Sequence, residues 1–372
     1  MTSAGFHNPV QVRTGDFVEL IGDIASPDEP SHKLLVASDR FSKTNDCSRL
    51  MTKLGDECSI FTAIENDPSV ESCQSAIDLA IHSRPDLIIA IGGGSVIDTA
   101  KAMRLALYKD ESEIRDLLTD MAPGSSARKP DFLAVPTTHG TGSEVTMWAT
   151  IWDKIEKRKY SISDPDNYPD YAIYDATLCE TLPLDFSIIS GLDALSHAFE
   201  AIWNKNRNDK SDELAIQGIG LLVPALSKLT EPVSLDLRKK LLLGSQLAGQ
   251  AFSNTRTAAA HSISYPLTAH FGIPHGIACS MPLRPLLKIN EVKIRPQVDQ
   301  ILELLSASSV EEIWTSLEQC FLGKVGFCLR DYGVNRSDLS WVKDECFTKG
   351  RMENNIVDLN IDDVGSILDA IF

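Results

Sequence analysis

Residues 86–107 constrain the fold of this chain more than any other stretch. Leu87-Ile88-Ile89-Ala90-Ile91 is apolar at every position, as a strand covered on both faces must be. With no spacer it runs into Gly92-Gly93-Gly94-Ser95 and then into a helical pattern from Val96 to about Leu107. A buried strand turned by glycines straight into a helix opens a parallel crossover, and the same alternation recurs on either side of it. Lys33-Leu34-Leu35-Val36-Ala37, Cys58-Ser59-Ile60-Phe61-Thr62-Ala63 and Phe132-Leu133-Ala134-Val135 read as strands, and helical spacing follows Asp67-Pro68-Ser69. The first half is therefore expected to be an α/β domain with a mostly parallel sheet.

The second half has a different rhythm. Helical periodicity dominates from about Leu184 onward and is clearest over 214–229 (with a kink expected at Pro224), 235–252 and 298–305. A length of 372 residues suits two domains, and Thr181-Leu182-Pro183 marks the expected boundary: 1–183 for the α/β domain and 184–372 for an all-α domain. The absence of a flexible linker implies close packing around a cleft.

Charge removes whole classes of partner. Asp and Glu number 52 against 35 Lys and Arg, a net charge of −17 that repels phosphate backbones and anionic membrane surfaces. No stretch reaches the ~18 apolar residues that a membrane helix needs. Residues 1–12 carry no secretory-signal pattern, and the 8 cysteines are scattered without a C-x-x-C pair. Free thiols, mostly structural, in a reducing cytoplasm are expected.

Glycines after a buried strand let backbone N–H groups converge on an anion with no Cβ in the way, as a pyrophosphate requires. The segment is neither G-x-G-x-x-G nor a P-loop. A second loop, Pro136-Thr137-Thr138-His139-Gly140-Thr141-Gly142-Ser143-Glu144, leaves another strand with many donors for phosphate and ribose oxygens. Asp39 ends an earlier strand, where a carboxylate binds ribose hydroxyls and repels a 2′-phosphate. Together these point to a dinucleotide, NADH ahead of NADPH.

In the helical half, Asp193 and His197 stand at i and i+4, one turn apart on one face. His197, His261, His270 and His275 make up half of the 8 histidines. One carboxylate with three neutral imidazoles suits Fe²⁺ or Zn²⁺ better than Mg²⁺ or Ca²⁺.

These segments resemble the iron-containing (group III) alcohol dehydrogenase family over most of the chain. GGGSxxDxAK matches residues 92–101, PTTxGTGSEVT residues 136–146, GLDALxHAxE residues 191–200, and the His-x₁₃-His-Gly segment runs from His261 to His275-Gly276. The resemblance implies Asp193, His197, His261 and His275 as ligands of a divalent metal, Fe²⁺ ahead of Zn²⁺. It implies Gly93, Gly94 and Ser95 on the pyrophosphate, with Asp98, Thr137, Thr138 and Lys159 completing an NAD(P)(H) site, and a homodimer as the frequent family assembly. The chemistry implied is hydride transfer between nicotinamide and a carbonyl carbon, with the metal polarising the oxygen. One position departs: many members carry a histidine four residues after the third ligand, where this chain has Tyr265. The proton route is left among Tyr265, His270 and water relayed through the cofactor ribose.

Within the family, residues 254–266 and 201–206 look most like the phosphonoacetaldehyde reductase branch, which implies reduction of phosphonoacetaldehyde to 2-hydroxyethylphosphonate. A phosphonate needs a cationic fork and further donors, here Arg256 with Asn204, Lys205 and His270. The alternatives are a dehydrogenase of neutral short-chain alcohols or diols, a sugar-phosphate cyclase of the dehydroquinate synthase type, and a catalytically silent scaffold. The one-Asp, three-His set fits dehydrogenases better than those cyclases.

Overall fold

A computed structural model of the chain describes residues 5–25, 32–119, 128–156, 158–321 and 323–372, with Cys320 described by its backbone alone. Residues 1–4 of the stretch read for a secretory signal, and the Cys320 thiol, lie outside the described residues. Two compact units result: Pro9–Thr138 with Ser143–Leu178, and Cys179–Phe372 with His139–Gly142 and the described part of Met1–Asn8.

The first unit is built on six parallel strands in the order β1-β8-β5-β4-β2-β3. They are β1 (Gln11–Thr14), β2 (Lys33–Ala37), β3 (Cys58–Phe61), β4 (Leu87–Gly92), β5 (Asp131–Pro136) and β8 (Tyr171–Tyr174). Both faces are covered, and side chains alternate between them as a period of two requires. Leu35, Ile89, Ile91, Leu133 and Val135 pack with Phe17 and Ile21 of α1 (Phe17–Ile24) and Leu50 of α3 (Asn45–Leu54), which follows a one-turn α2 (Asp39–Ser42). Leu34, Val36, Ile88, Ala90 and Phe132 pack on the other face with Ala76 and Ala80 of α4 (Val70–Ser83) and Ile97, Ala100 and Met103 of α5 (Gly94–Lys109). The expected parallel α/β domain is thus present. An antiparallel pair absent from the sequence reading, β6 (Trp148–Asp153) with β7 (Arg158–Ser163), closes the far side of α4, α5 and α6 (Ile114–Leu118) through Ala149, Ile151 and Ile162.

The second unit is helical, as expected. Its helices are α7 (Leu184–Ile202), α8 (Asp209–Leu226), α9 (Leu235–Thr255), α10 (Ala259–Phe271), α11 (His275–Ser280), α12 (Leu283–Asn290), α13 (Arg295–Leu305), α14 (Val310–Phe321), α15 (Leu339–Glu345) and α16 (Ile361–Ala370). Helix α8 runs through Pro224 into its last turn and ends two residues later. Helix α7 is the central element: every residue from Ser190 to Ile202 is buried, although Asp193, His197 and Glu200 lie among them. Buried polar groups require partners, so this stretch is where chemistry has to be explained. Among the described residues no helix is long and apolar enough to cross a membrane.

Candidate active site and metal centre

In the α/β unit, the C-terminal ends of β2, β4 and β5 lie side by side, with Ala37 opposite Ile91 and Gly92 opposite Pro136. The three loops singled out in the sequence therefore emerge along one sheet edge, where open α/β folds bind ligands. Gly93 is the N-cap of α5 and no side chain caps the helix, so the amides of its first turn point outward with the positive end of the dipole. Thr138 packs its methyl against Gly93, where an added Cβ would sit 3.2 Å from Thr138 Cγ2. Thr137 N–H donates to the Gly92 carbonyl at 3.0 Å, and the Ser95 hydroxyl accepts from Asp67 N–H at 3.3 Å. Asp39 begins α2, exposed, with Lys43 Nζ 2.6 Å from its carboxylate.

Asp98 faces inward instead. Its carboxylate accepts from Ser143 Oγ at 2.6 Å and Thr150 N–H at 2.9 Å, and burial pushes its pKa up against the pull of Lys101. Lys101 is itself fully buried and donates to the carbonyls of Ser143 and Trp148, each at 2.7 Å. This pair ties the second loop to α5. Lys159, on β7, lies with its ammonium 5.6 Å from the centre of the Trp152 ring.

In the helical unit, α7 presents Asp193, His197 and Glu200 at i, i+4 and i+7 on one face. Helix α10 brings His261 from its first turn, and α11 begins with His275. Asp193 Oδ1 lies 4.0, 3.7 and 4.0 Å from Nε2 of His197, His261 and His275. These separations are too long for hydrogen bonds and short enough for one cation to bridge. Among the described residues the buried atoms Asp193 Oδ1, His197 Nδ1 and His261 Nε2 make no hydrogen bond. The donor set fits a borderline divalent ion.

Electrostatics prepare the same donors. Burial pulls the His197 pKa down to about 4, so its imidazole is neutral at pH 7. His197 is stacked between Phe252, with ring centres 4.1 Å apart, and His261 at 4.7 Å. Burial raises the Asp193 carboxyl, but the surrounding imidazoles outweigh it and hold the group below the usual carboxylate range. Glu200, the last residue of the GLDALxHAxE segment, is fully buried; its Oε2 stands 2.5 Å from His261 Nδ1 and its Oε1 accepts the His261 backbone N–H at 3.1 Å. A carboxylate on Nδ1 fixes the ring and turns Nε2 toward the metal position. Burial pulls the His261 pKa down, but Cys279, Glu200 and Asp193 outweigh it and raise it above the ordinary imidazole value.

His275 is the candidate ligand most open to solvent, its side chain 37% exposed. The Tyr265 ring is stacked near it, 6.3 Å centre to centre. His270 is exposed, with Nε2 bonded to Glu345 at 2.7 Å and its ring against Trp341. The structure brings Tyr265, not His270, to the ligand cluster.

Arg256 is the exposed C-cap of α9, five residues before His261. Its backbone, at φ 67° and ψ 176°, occupies a region essentially reserved for glycine, costing about 1–3 kcal/mol. The conformation is held by Asn204 Nδ2 and Thr255 Oγ1, which donate to its carbonyl at 3.1 and 3.0 Å. The Asn204 amide is thereby occupied, and Lys205 donates to the Glu353 carbonyl and to Asp358. Among the described residues the Arg256 guanidinium forms no ion pair or hydrogen bond.

Comparison with known proteins identifies the family and the fold. The model of the iron-containing alcohol dehydrogenase family matches residues 9–176, and that of the Fe-containing alcohol dehydrogenase C-terminal region matches residues 187–372. The NADPH-dependent butanol dehydrogenase of Clostridium saccharobutylicum is 30% identical over 90% of this chain and 88% of its own length. The sulfoacetaldehyde reductase of Bifidobacterium kashiwanohense, solved in complex with NAD+, superposes with a TM-score of 0.90 at 25% identity, covering 99% of this chain and 98% of that one. A 1,3-propanediol oxidoreductase shares the fold, with a TM-score of 0.86 at 23% identity over 99% of this chain and 100% of that one.

Proposed function

The chain belongs to the iron-containing alcohol dehydrogenase family, oxidoreductases that use NAD(P) and a divalent metal, and from that premise we propose that it reduces phosphonoacetaldehyde to 2-hydroxyethylphosphonate with NADH. The observation that carries the substrate reading is Arg256, an unpaired guanidinium on a strained, braced backbone beside the ligand helix α10. Strain of that kind is retained where a side chain has to be delivered to one place. The sulfoacetaldehyde reductase named above acts on a two-carbon aldehyde with a tetrahedral anionic head, the same substrate shape.

When bound, NADH supplies the hydride and the divalent metal, Fe²⁺ ahead of Zn²⁺, supplies the positive charge that stabilises a developing alkoxide. Asp193, His197, His261 and His275 hold the cation, and Glu200 keeps His261 in the ligating tautomer. The uncapped start of α5, with Gly93, Gly94 and Ser95, takes the pyrophosphate, while Thr137 and Thr138 line the neighbouring strand end. Asp39 favours NADH by accepting from the ribose hydroxyls once it turns from Lys43. Tyr265, beside His275, delivers the proton that completes the alcohol. Arg256 takes the head group, and Asn204 keeps it there.

The test compares phosphonoacetaldehyde with a neutral aldehyde of similar size, using anaerobically Fe²⁺-loaded protein and following loss of NADH absorbance. A kcat/KM preference for the phosphonate of at least 100-fold is expected, and Arg256→Ala should raise its KM far more than that of the neutral aldehyde. Equal effects of the substitution on both substrates would discard the Arg256 pocket. Faster turnover of the neutral aldehyde would favour the short-chain alcohol reading, which the butanol dehydrogenase relative supports.

A further inference from the structure

Beside the four ligands implied by the resemblance stands one further candidate donor, Cys279. Helix α11 places Cys279 at i+4 from His275, the same one-turn spacing that pairs Asp193 with His197 on α7. Ligand atoms of Asp193, His261, His275 and Cys279 all lie within 4.8 Å of one another. The Cys279 sulfur is 3.6 and 3.7 Å from the two ring nitrogens of His275, and its side chain is fully buried. Two independent features point at a cation there rather than at simple packing. Asp193 and His261 are each more than nine-tenths buried, and their facing atoms, Oδ1 and Nε2, make no hydrogen bond among the described residues. Buried thiols in ordinary cores are inert because apolar atoms surround them, whereas this one is surrounded by candidate ligands.

We infer that Cys279 is a sulfur ligand of the metal centre, a fifth donor beside Asp193, His197, His261 and His275. The inference rests on the metal-site reading above. As the metal–sulfur bond forms, the thiol releases its proton to the medium, and no electrons move. A thiolate softens the donor set, so the site selects Zn²⁺, Co²⁺ or Fe²⁺ over Mg²⁺, Ca²⁺ and Mn²⁺ more sharply than Asp and His alone would. The sequence held the signal, a cysteine one helical turn after a ligand histidine, but nothing in it showed that α11 turns that face toward α7.

The protein is freed of metal with a chelator and loaded anaerobically with Co²⁺, and its absorption is compared with that of Cys279→Ser and Cys279→Ala. Wild type should show a sulfur-to-cobalt charge-transfer band in the near ultraviolet as well as visible d–d bands; both variants should keep the visible bands and lose the near-ultraviolet one. An undiminished near-ultraviolet band in the variants, or none in wild type, overturns the inference. Visible bands absent from every form would remove the metal site itself, and the inference with it. Should the variants fail to fold, X-ray absorption on the Zn²⁺-loaded wild type decides: one sulfur scatterer at about 2.3 Å is expected, and a shell of nitrogen and oxygen alone overturns it.

Discussion

At the scale of single residues, the sequence exposed spacings but not partners across space. Asp193 and His197 are legible because both lie on one helix, and the local rule of one turn suffices. Glu200 sits in the same segment, yet its role depends on His261, 61 residues away, which no local pattern shows. His139 is a similar case. It is fully buried, with Nδ1 3.1 Å from Ser190 Oγ and Nε2 unbonded among the described residues. Burial, the largest influence, pulls its pKa from the ordinary 6.5 down to about 4. Between those values the unfolded chain binds a proton that the folded protein does not, so stability is present above pH 6.5 and is lost as pH falls toward 4. The loss amounts to about 3 kcal/mol. His139→Asn keeps a polar atom where Nδ1 stands but cannot titrate. Urea unfolding from pH 7 to pH 4 should show a slope shallower than wild type at the same metal loading. Matching slopes would mean that His139 is not held neutral by burial.

At the scale of elements, strands β2, β4 and β5 were legible because each carries a run of four or more consecutive apolar residues, as a strand covered on both faces does. The β6–β7 hairpin escaped because its inward face is carried by Ala149, Ile151 and Ile162 alone, too few to stand out among tryptophans and charges. The most exacting contact between elements is at Gly276, the second residue of α11. A Cβ there would run into the Ile189 carbonyl oxygen and approach Asp193 Cβ to 3.1 Å. The obstacle is backbone, which no rotamer change can relieve. Gly276→Ala should therefore push α11 off α7, destabilise the protein by about 3 kcal/mol, and move His275 and Cys279 away from Asp193 together. Urea midpoints and Zn²⁺ affinity by chelator competition check this, with at least a tenfold weaker affinity expected. Full metal affinity in a destabilised variant would show that the ligands do not depend on this packing.

At the scale of the molecule, the two-part organisation was legible because hydrophobic period changes from strand–helix alternation to continuous helix. What the period could not reveal is that His139–Gly142, from a loop of the α/β half, groups with the helical unit, where His139 meets Ser190. The proposed metal centre lies wholly within that unit and draws on three helices, so a bound ion would act as a crosslink among α7, α10 and α11. A ligand that binds only the folded form stabilises it by about 2.7 kcal/mol at a hundredfold excess over its Kd. The sheet of the α/β unit contains none of the ligands and should not respond to the ion locally. Chelation is therefore expected to raise amide hydrogen exchange in α7, α10 and α11 by at least tenfold and to leave β4 and β5 unchanged under native conditions. Re-addition of Zn²⁺ should restore protection. Equal loss in helices and sheet would mean that the ion governs global unfolding instead, and no change anywhere would mean that the buried Asp193 and His261 are satisfied without it.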